Sequence, residues 1–313
     1  MKHHSTYLGL AILGLAAVSC NKEGIPEPKE GQAFTIYASL PETRTANDGM
    51  HTVWTANDQI FLLHVPAGLS DPNEFWNYQA DAFILADPAT GKFVGKLSTP
   101  LKDGEKYDWY AVHNGQPYPP GINPIMSLQV GADTQTQKGE TMTHLAGGQS
   151  FPIYGKLLAA GNDPYPTIPM KNLAAVMKLV VTNQVDNVRS VQVEKIVVTH
   201  SAKPLSGSQK INILSDGPDM THTVMNPGVK DRTVTLNVTS GKFLSKGRSS
   251  AFYIGIPPLI CNAGESMTFT VSVKYLKQAS TQTITKTFDS DFAFHPGEIR
   301  TFTMNYTEPL VQK

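Results

Sequence analysis

Cys20 closes the run Leu15-Ala16-Ala17-Val18-Ser19-Cys20, and its thiol stands where a covalent modification would be made. Lys2 precedes an apolar segment from about Tyr7 to Val18. That segment is too short for a hydrocarbon core of about 30 Å, and small residues lead into a cysteine instead of an A-x-A cleavage site. The pattern is that of a lipoprotein signal. Residues 1–19 would be removed and Cys20 would become an acylated first residue, exported and tethered to membrane lipid. The competing reading is an ordinary secretory signal with a chance cysteine. The abrupt change to polar sequence at residues 20–31, a flexible Pro- and Gly-containing tether, speaks against it. Which leaflet would hold the lipid is left open by the tether's composition.

Catalytic chemistry has little to start from. The chain has no Gly-x-Ser-x-Gly elbow, no His-Glu-x-x-His, no Cys-x-x-Cys, no P-loop and no dinucleotide-binding glycine fingerprint. His51, His64, His113, His144, His200, His222 and His295 are scattered without metal-ligand spacing, which fits structural or surface histidines. Asp289 and Asp291 fall in an Asp-Ser-Asp turn, where carboxylates commonly bond to the backbone. The expectation is a protein that is not an enzyme and uses no cofactor or metal. Aromatic residues crowd the first half: Trp76, Tyr78, Tyr107, Trp109, Tyr110 and Tyr118. Flat rings suit sugars and protein partners, but core packing explains most of them. Lys106–Val112 reads as a strand with Tyr107, Trp109 and Ala111 on one face. Trp76 and Tyr78 lie in a loop-like stretch and are the candidate surface contacts.

The elements that would carry these residues are strands. Phe34, Ile36, Ala38 and Leu40 alternate with polar partners; so do Val234, Leu236 and Val238, and Met267 to Tyr275. Each run has one apolar face, which suits antiparallel sheets packed face to face. Leu173–Leu179 has helical propensity, but its continuation into Val180-Val181-Thr182 favours a buried strand. The 26 basic and 26 acidic residues cancel, with no dense basic block, so nucleic acid is not an expected partner. Only Cys261 remains besides Cys20, so no internal disulfide is expected. About 290 residues after the signal suffice for two domains. Turn formers between Gly155 and Met170 place the boundary so that residues 32–166 form an N-terminal β-sandwich and residues 167–313 a C-terminal one. Residues 66–77 and 116–143 read as long irregular insertions.

Several segments, in order, resemble the fimbrillin family of Bacteroidales lipoprotein-derived pilins and pilus accessory or anchor subunits. They are the signal ending at Cys20, Thr43-Arg44-Thr45, Val53-Trp54-Thr55-Ala56-Asn57-Asp58-Gln59-Ile60, Phe151–Gly155, Asn172–Leu179, Pro204–Gly207 and Ala251–Pro257. Asn57 stands where the family often has Gly, and Asn tolerates a left-handed turn. The resemblance implies two tandem transthyretin-like antiparallel β-sandwich domains after the signal and tether. It further implies an outer-membrane or cell-surface location and a structural, tip or anchor role in a fimbrium that supports adhesion. The implied partners are other pilus subunits, joined by β-strand exchange, outer-membrane lipid through the Cys20 acyl anchor, and a host glycan or protein ligand. In processed members an Arg-specific protease cuts after the first strand, and the matching position is Arg44-Thr45. The alternative is a monomeric outer-membrane lipoprotein that binds glycan or host ligand. Phe302, Met304 and Tyr306 alternate near the end of the chain and suit a last strand, whether donated or packed at home.

Overall fold

The computed structural model describes residues 33–39, 54, 56–71, 74–113, 125–146, 151–161, 165–212, 223–225 and 232–312. Alternation dictates the elements: strand after strand reads buried, exposed, buried, because successive side chains leave opposite faces of a pleated backbone. The first half holds β1 (Ala33–Ser39), β2 (Gln59–Pro66), β3 (Asp81–Asp87), β4 (Lys92–Lys96), β5 (Tyr107–His113), β6 (Ile125–Val130), β7 (Thr134–Lys138), the single helical turn α1 (Thr143–Ala146), β8 (Ile153–Ala160) and β9 (Thr167–Asn172). The second holds β10 (Ala175–Asn183), β11 (Ser190–His200), β12 (Gly207–Asn212), β13 (Thr223–Met225), β14 (Thr233–Thr239), β15 (Leu244–Ser245), β16 (Ser249–Ile256), β17 (Leu259–Cys261), β18 (Ser266–Tyr275), β19 (Gln278–Thr287), β20 (Phe292–Phe294), β21 (Ile299–Tyr306) and β22 (Val311–Gln312). The all-β expectation holds, and Ala175–Asn183 is a strand as its β-branched continuation requires.

In the first half the sheet closes on itself in the order β1-β4-β3-β2-β5-β8-β9. Strands on opposite sides of the ring face one another across a core of Ile36, Ile60, Leu62, Phe83, Phe93, Trp109, Ile153 and Ile168. In the second half two sheets pack face to face. One has the order β16-β10-β21, and the other runs β22-β19-β18-β11-β14-β7. Between them lies an aliphatic core that includes Leu179, Val181, Ile196, Val198, Leu236, Ile254, Val271 and Tyr306.

Hydrogen bonding crosses residue 166 in both directions. Thr167–Asn172 adds to the first ring, pairing with β8 and, in parallel, with β1. Conversely β6 pairs with β12 and β7 pairs in parallel with β14. Residues 125–146, read from sequence as part of an irregular insertion, therefore supply two strands to sheets of the second half. A third apolar cluster, including Val65, Tyr110, Phe151, Tyr154, Val176 and Tyr253, seals the two halves together.

Candidate strand-docking site

β1 is seated by its alternation. Phe34, Ile36 and Ala38 point into the ring and are buried, while Thr35 and Tyr37 face outward and are half-buried. The Phe34 ring stacks on Trp109 at 5.5 Å and meets the edge of Phe83 at 6.4 Å. Such ring pairs add about 0.5–1.5 kcal/mol to area burial. One edge of β1 pairs with β4 over five residue pairs, and the other pairs with β9 over only three, Tyr37–Thr167 to Ser39–Pro169.

The far end of β1 is gripped by Trp54 and Gly91. Trp54 Nε1 donates to the Ala38 carbonyl at 3.1 Å, and Ala38 N donates to the Gly91 carbonyl at 2.9 Å. Gly91 is required there: its φ is +65°, and a Cβ would fall 2.3 Å from Ala38 O. Trp54 itself is buried against the Phe93 ring at 4.9 Å and the His113 ring at 5.3 Å. The turn that follows places Asn57 at φ 75°, the left-handed conformation Asn tolerates. Asp58 O then accepts from Leu85 N, fixing where β2 begins.

The same core contains an unusual polar group. His64 is buried in β2, stacked on Trp109 at 5.2 Å, and neither of its ring nitrogens has a hydrogen-bond partner; nor does Trp109 Nε1. Burial pushes its pKa down to about 4, the Thr99 backbone offsetting only part of the effect. On the opposite face of β5, buried Asp108 accepts from Ala159 N at 2.7 Å and Gly68 N at 3.2 Å. That carboxylate serves two backbone amides and is not available as a catalytic pair.

The sequence-predicted residues are placed as follows. Cys20, Arg44, Thr45 and Tyr118 lie outside the described residues. Trp76 sits on a 3-10 turn, Glu74–Asn77, and its side chain is outside the described set. Tyr78 is half-buried against the cluster that joins the halves. Tyr107, Trp109 and Ala111 share the ring interior and Tyr110 the opposite face, as alternation required. Asp291 Oδ1 accepts from Ala263 N at 3.0 Å, a backbone role. Cys261 is a free buried thiol whose pKa is pushed up to about 12 by burial. His200 accepts from Ala202 N and Lys203 N through Nδ1, and burial lowers its pKa. Among the described residues no group of three His, Cys, Asp or Glu could hold a metal ion.

Sequence reasoning missed a clasp between the halves. β16 is an edge strand, with β10 on one side, and its other edge is capped by side chains from the β7–α1 segment. Gln135 donates to Gly255 O at 2.7 Å and accepts from Gly255 N at 2.9 Å. Gln137 accepts from Tyr253 N at 2.8 Å and donates to Ala251 O at 3.1 Å. His144 Nε2 donates to Tyr253 O at 3.0 Å, since a carbonyl can only accept. Side-chain amides thus do what a neighbouring strand's backbone would do.

The last strand is held differently from the first. β21 runs parallel to β10 over eight residue pairs, Val176–Ile299 to Asn183–Tyr306. Beyond it, the Asn187 amide donates to Leu310 O at 2.8 Å and accepts from Leu310 N at 3.2 Å. Gln282 Oε1 accepts from Thr307 N at 2.7 Å. The alternating Phe302, Met304 and Tyr306 are therefore packed at home.

No protein-family model matches the chain, and no curated protein matches it. Solved structures do. A candidate cell adhesion protein from Bacteroides ovatus superposes with TM-score 0.55 at 13% identity, over 91% of this chain and 96% of that one. This chain shares its fold. A second candidate cell adhesion protein, from Bacteroides uniformis, gives TM-score 0.50 at 14% identity, over 88% of this chain and 93% of its own. The likeness spans both halves, so the ring of β1–β9 and the sandwich that follows belong to one shared architecture.

Proposed function

We propose that this chain is a cell-surface adhesion protein, a structural, tip or anchor subunit of a pilus that joins other subunits by β-strand exchange. The observation that carries the reading is the seat of β1. A strand that closes a ring through three pairs on one edge, with three apolar side chains filling the interior, is the strand whose loss would leave the least disturbed acceptor. Its departure would bare the edges of β4 and β9 and an apolar slot. An extended segment of a neighbouring subunit would satisfy both. Cleavage after Arg44, with Thr45 becoming the first residue, is the proposed release step. Cys20 is the proposed acyl anchor to outer-membrane lipid, and the two sheet systems are the proposed tandem domains. The adhesion names of the structures that share the fold support the surface role. In this reading the protein is not an enzyme, and its surface ligand is a host glycan or protein.

One observation favours the second reading, a monomeric outer-membrane lipoprotein. Because β21 and the tail to Leu310 are locked at home, the last strand is not free to be donated without unfolding part of the sandwich. The mass of the mature chain from cells separates the two. A form starting at Thr45, with surface filaments that vanish when this chain is deleted, supports the exchanging subunit; a form starting at acylated Cys20, with filaments unchanged, supports the monomeric binder.

A further inference from the structure

The hairpin between β18 and β19 turns at Leu276, which is 82% exposed and has φ 54°, a left-handed conformation costly for a bulky non-glycine residue. Beside it Phe243, 59% exposed, meets the Tyr275 ring edge-on at 6.3 Å. Glycine would relieve the turn and a polar residue would suit the exposure, yet two large apolar side chains project from one end of the sandwich. Strain and exposed apolar surface coincide here, and either alone would be unremarkable.

What surrounds this tip decides its partner. Lys242 precedes Phe243, Lys274 and Lys277 flank the Tyr275-Leu276 pair, and Lys246 and Arg248 follow in the next turn. Glu140, Asp186 and Glu194 pair with Lys242, Lys246 and Lys274. Five basic residues thus stand against three carboxylates. The pairs are exposed, so water and salt screen them and the lysine heads can re-aim. Apolar side chains at an apex with basic residues a step behind match the depth profile of a lipid surface carrying anionic headgroups: acyl boundary first, then phosphate. A protein partner would need a pocket shaped for Leu276 and Phe243, whereas a bilayer interface asks only for this ordering.

We propose that the Phe243–Leu276 tip is a membrane-contacting element that inserts its apolar apex into an anionic lipid surface. This goes beyond the strand-exchange reading and does not depend on it. The test uses the full chain carrying Cys20→Ala, so that no acyl group contributes, with Leu276→Cys labelled by a polarity-sensitive fluorophore and Thr283→Cys as the control site. Vesicles of phosphatidylcholine alone and of phosphatidylcholine with phosphatidylglycerol are the probes. The expected result is a blue shift at position 276 and none at 283, on anionic vesicles only, reversed by high salt. In vesicle co-sedimentation, Phe243→Ser with Leu276→Ser should weaken binding about tenfold or more while leaving the melting temperature unchanged. No shift at 276, equal shifts at both sites, or co-sedimentation that the double substitution leaves intact would each overturn the proposal.

Discussion

The two strands at the ends of the chain close their respective halves, and they do so on different terms. β1 has five pairs with β4 and three with β9, and its inward face is three side chains long. β21 has eight pairs with β10, contributes Met304 and Tyr306 to the core, and is followed by a tail tied down through Asn187 and Gln282. Each backbone pair and each buried side chain adds to the cost of withdrawal, so the first strand is far easier to remove than the last. A subunit that exchanges strands needs one labile strand at an otherwise finished edge, and β1 is the one that qualifies.

The largest effect that would break this contrast comes from truncation. Deleting residues 299–313 should abolish the cooperative unfolding transition of the second half, because the sandwich loses Met304, Tyr306 and Leu310 together. Deleting residues 33–39 should leave that transition in place and expose apolar surface to a hydrophobic dye. Equal losses from the two deletions would remove the distinction between the strands.

Next in size is Trp54→Ala. The indole closes the end of the β1 seat and donates to Ala38 O, so its loss should cost about 3–5 kcal/mol in chemical denaturation. An unchanged midpoint would mean that the grip on β1 lies elsewhere.

Much of this was legible in sequence, and the misses have physical causes. Apolar alternation located β1, β5, β14 and β18 because their inward residues are hydrocarbon. It failed for β7, whose Thr134-Gln135-Thr136-Gln137 has no apolar face: the buried positions are glutamines, satisfied by the backbone of β16. No periodicity in hydropathy reports a buried amide whose partner lies over a hundred residues away. The boundary at 166 misplaced Thr167–Asn172 for a related reason. Turn formers mark where the chain bends, and the strand beyond the bend returns to the first ring. Trp54 and Asn57 were readable as a pair because a left-handed Asn and a large ring are strong local signals. Tyr78, expected at the surface, is half-buried because the second half packs over it, a contact that local sequence does not encode.

Acid should sharpen the comparison at intermediate size. His64 has a folded pKa of about 4 against an ordinary 6.5, so the unfolded chain binds the extra proton first. Stability from its neutral form is full above about pH 6.5 and is lost as pH falls toward 4, amounting to about 2 kcal/mol between pH 8 and pH 5. His64→Leu should flatten that dependence in thermal melts of the first half. A slope that persists unchanged would assign the effect to other groups.

The smallest effect concerns the tail. Asn187→Ala removes both bonds to Leu310 and should lower stability by about 1–2 kcal/mol. It should also raise amide exchange at residues 307–312 without affecting β1. Loss of protection in β1 as well would show that the two ends are coupled.

The central claim is that β1 is the exchangeable strand, and limited trypsin digestion followed by size-exclusion chromatography tests it most directly. The account predicts a first cut at Arg44, ahead of Arg189, Arg232 and Arg300, and then assembly of the cut chain into oligomers that keep the second half folded. A first cut elsewhere, or a chain cut at Arg44 that stays monomeric with an unchanged melting temperature, would contradict it.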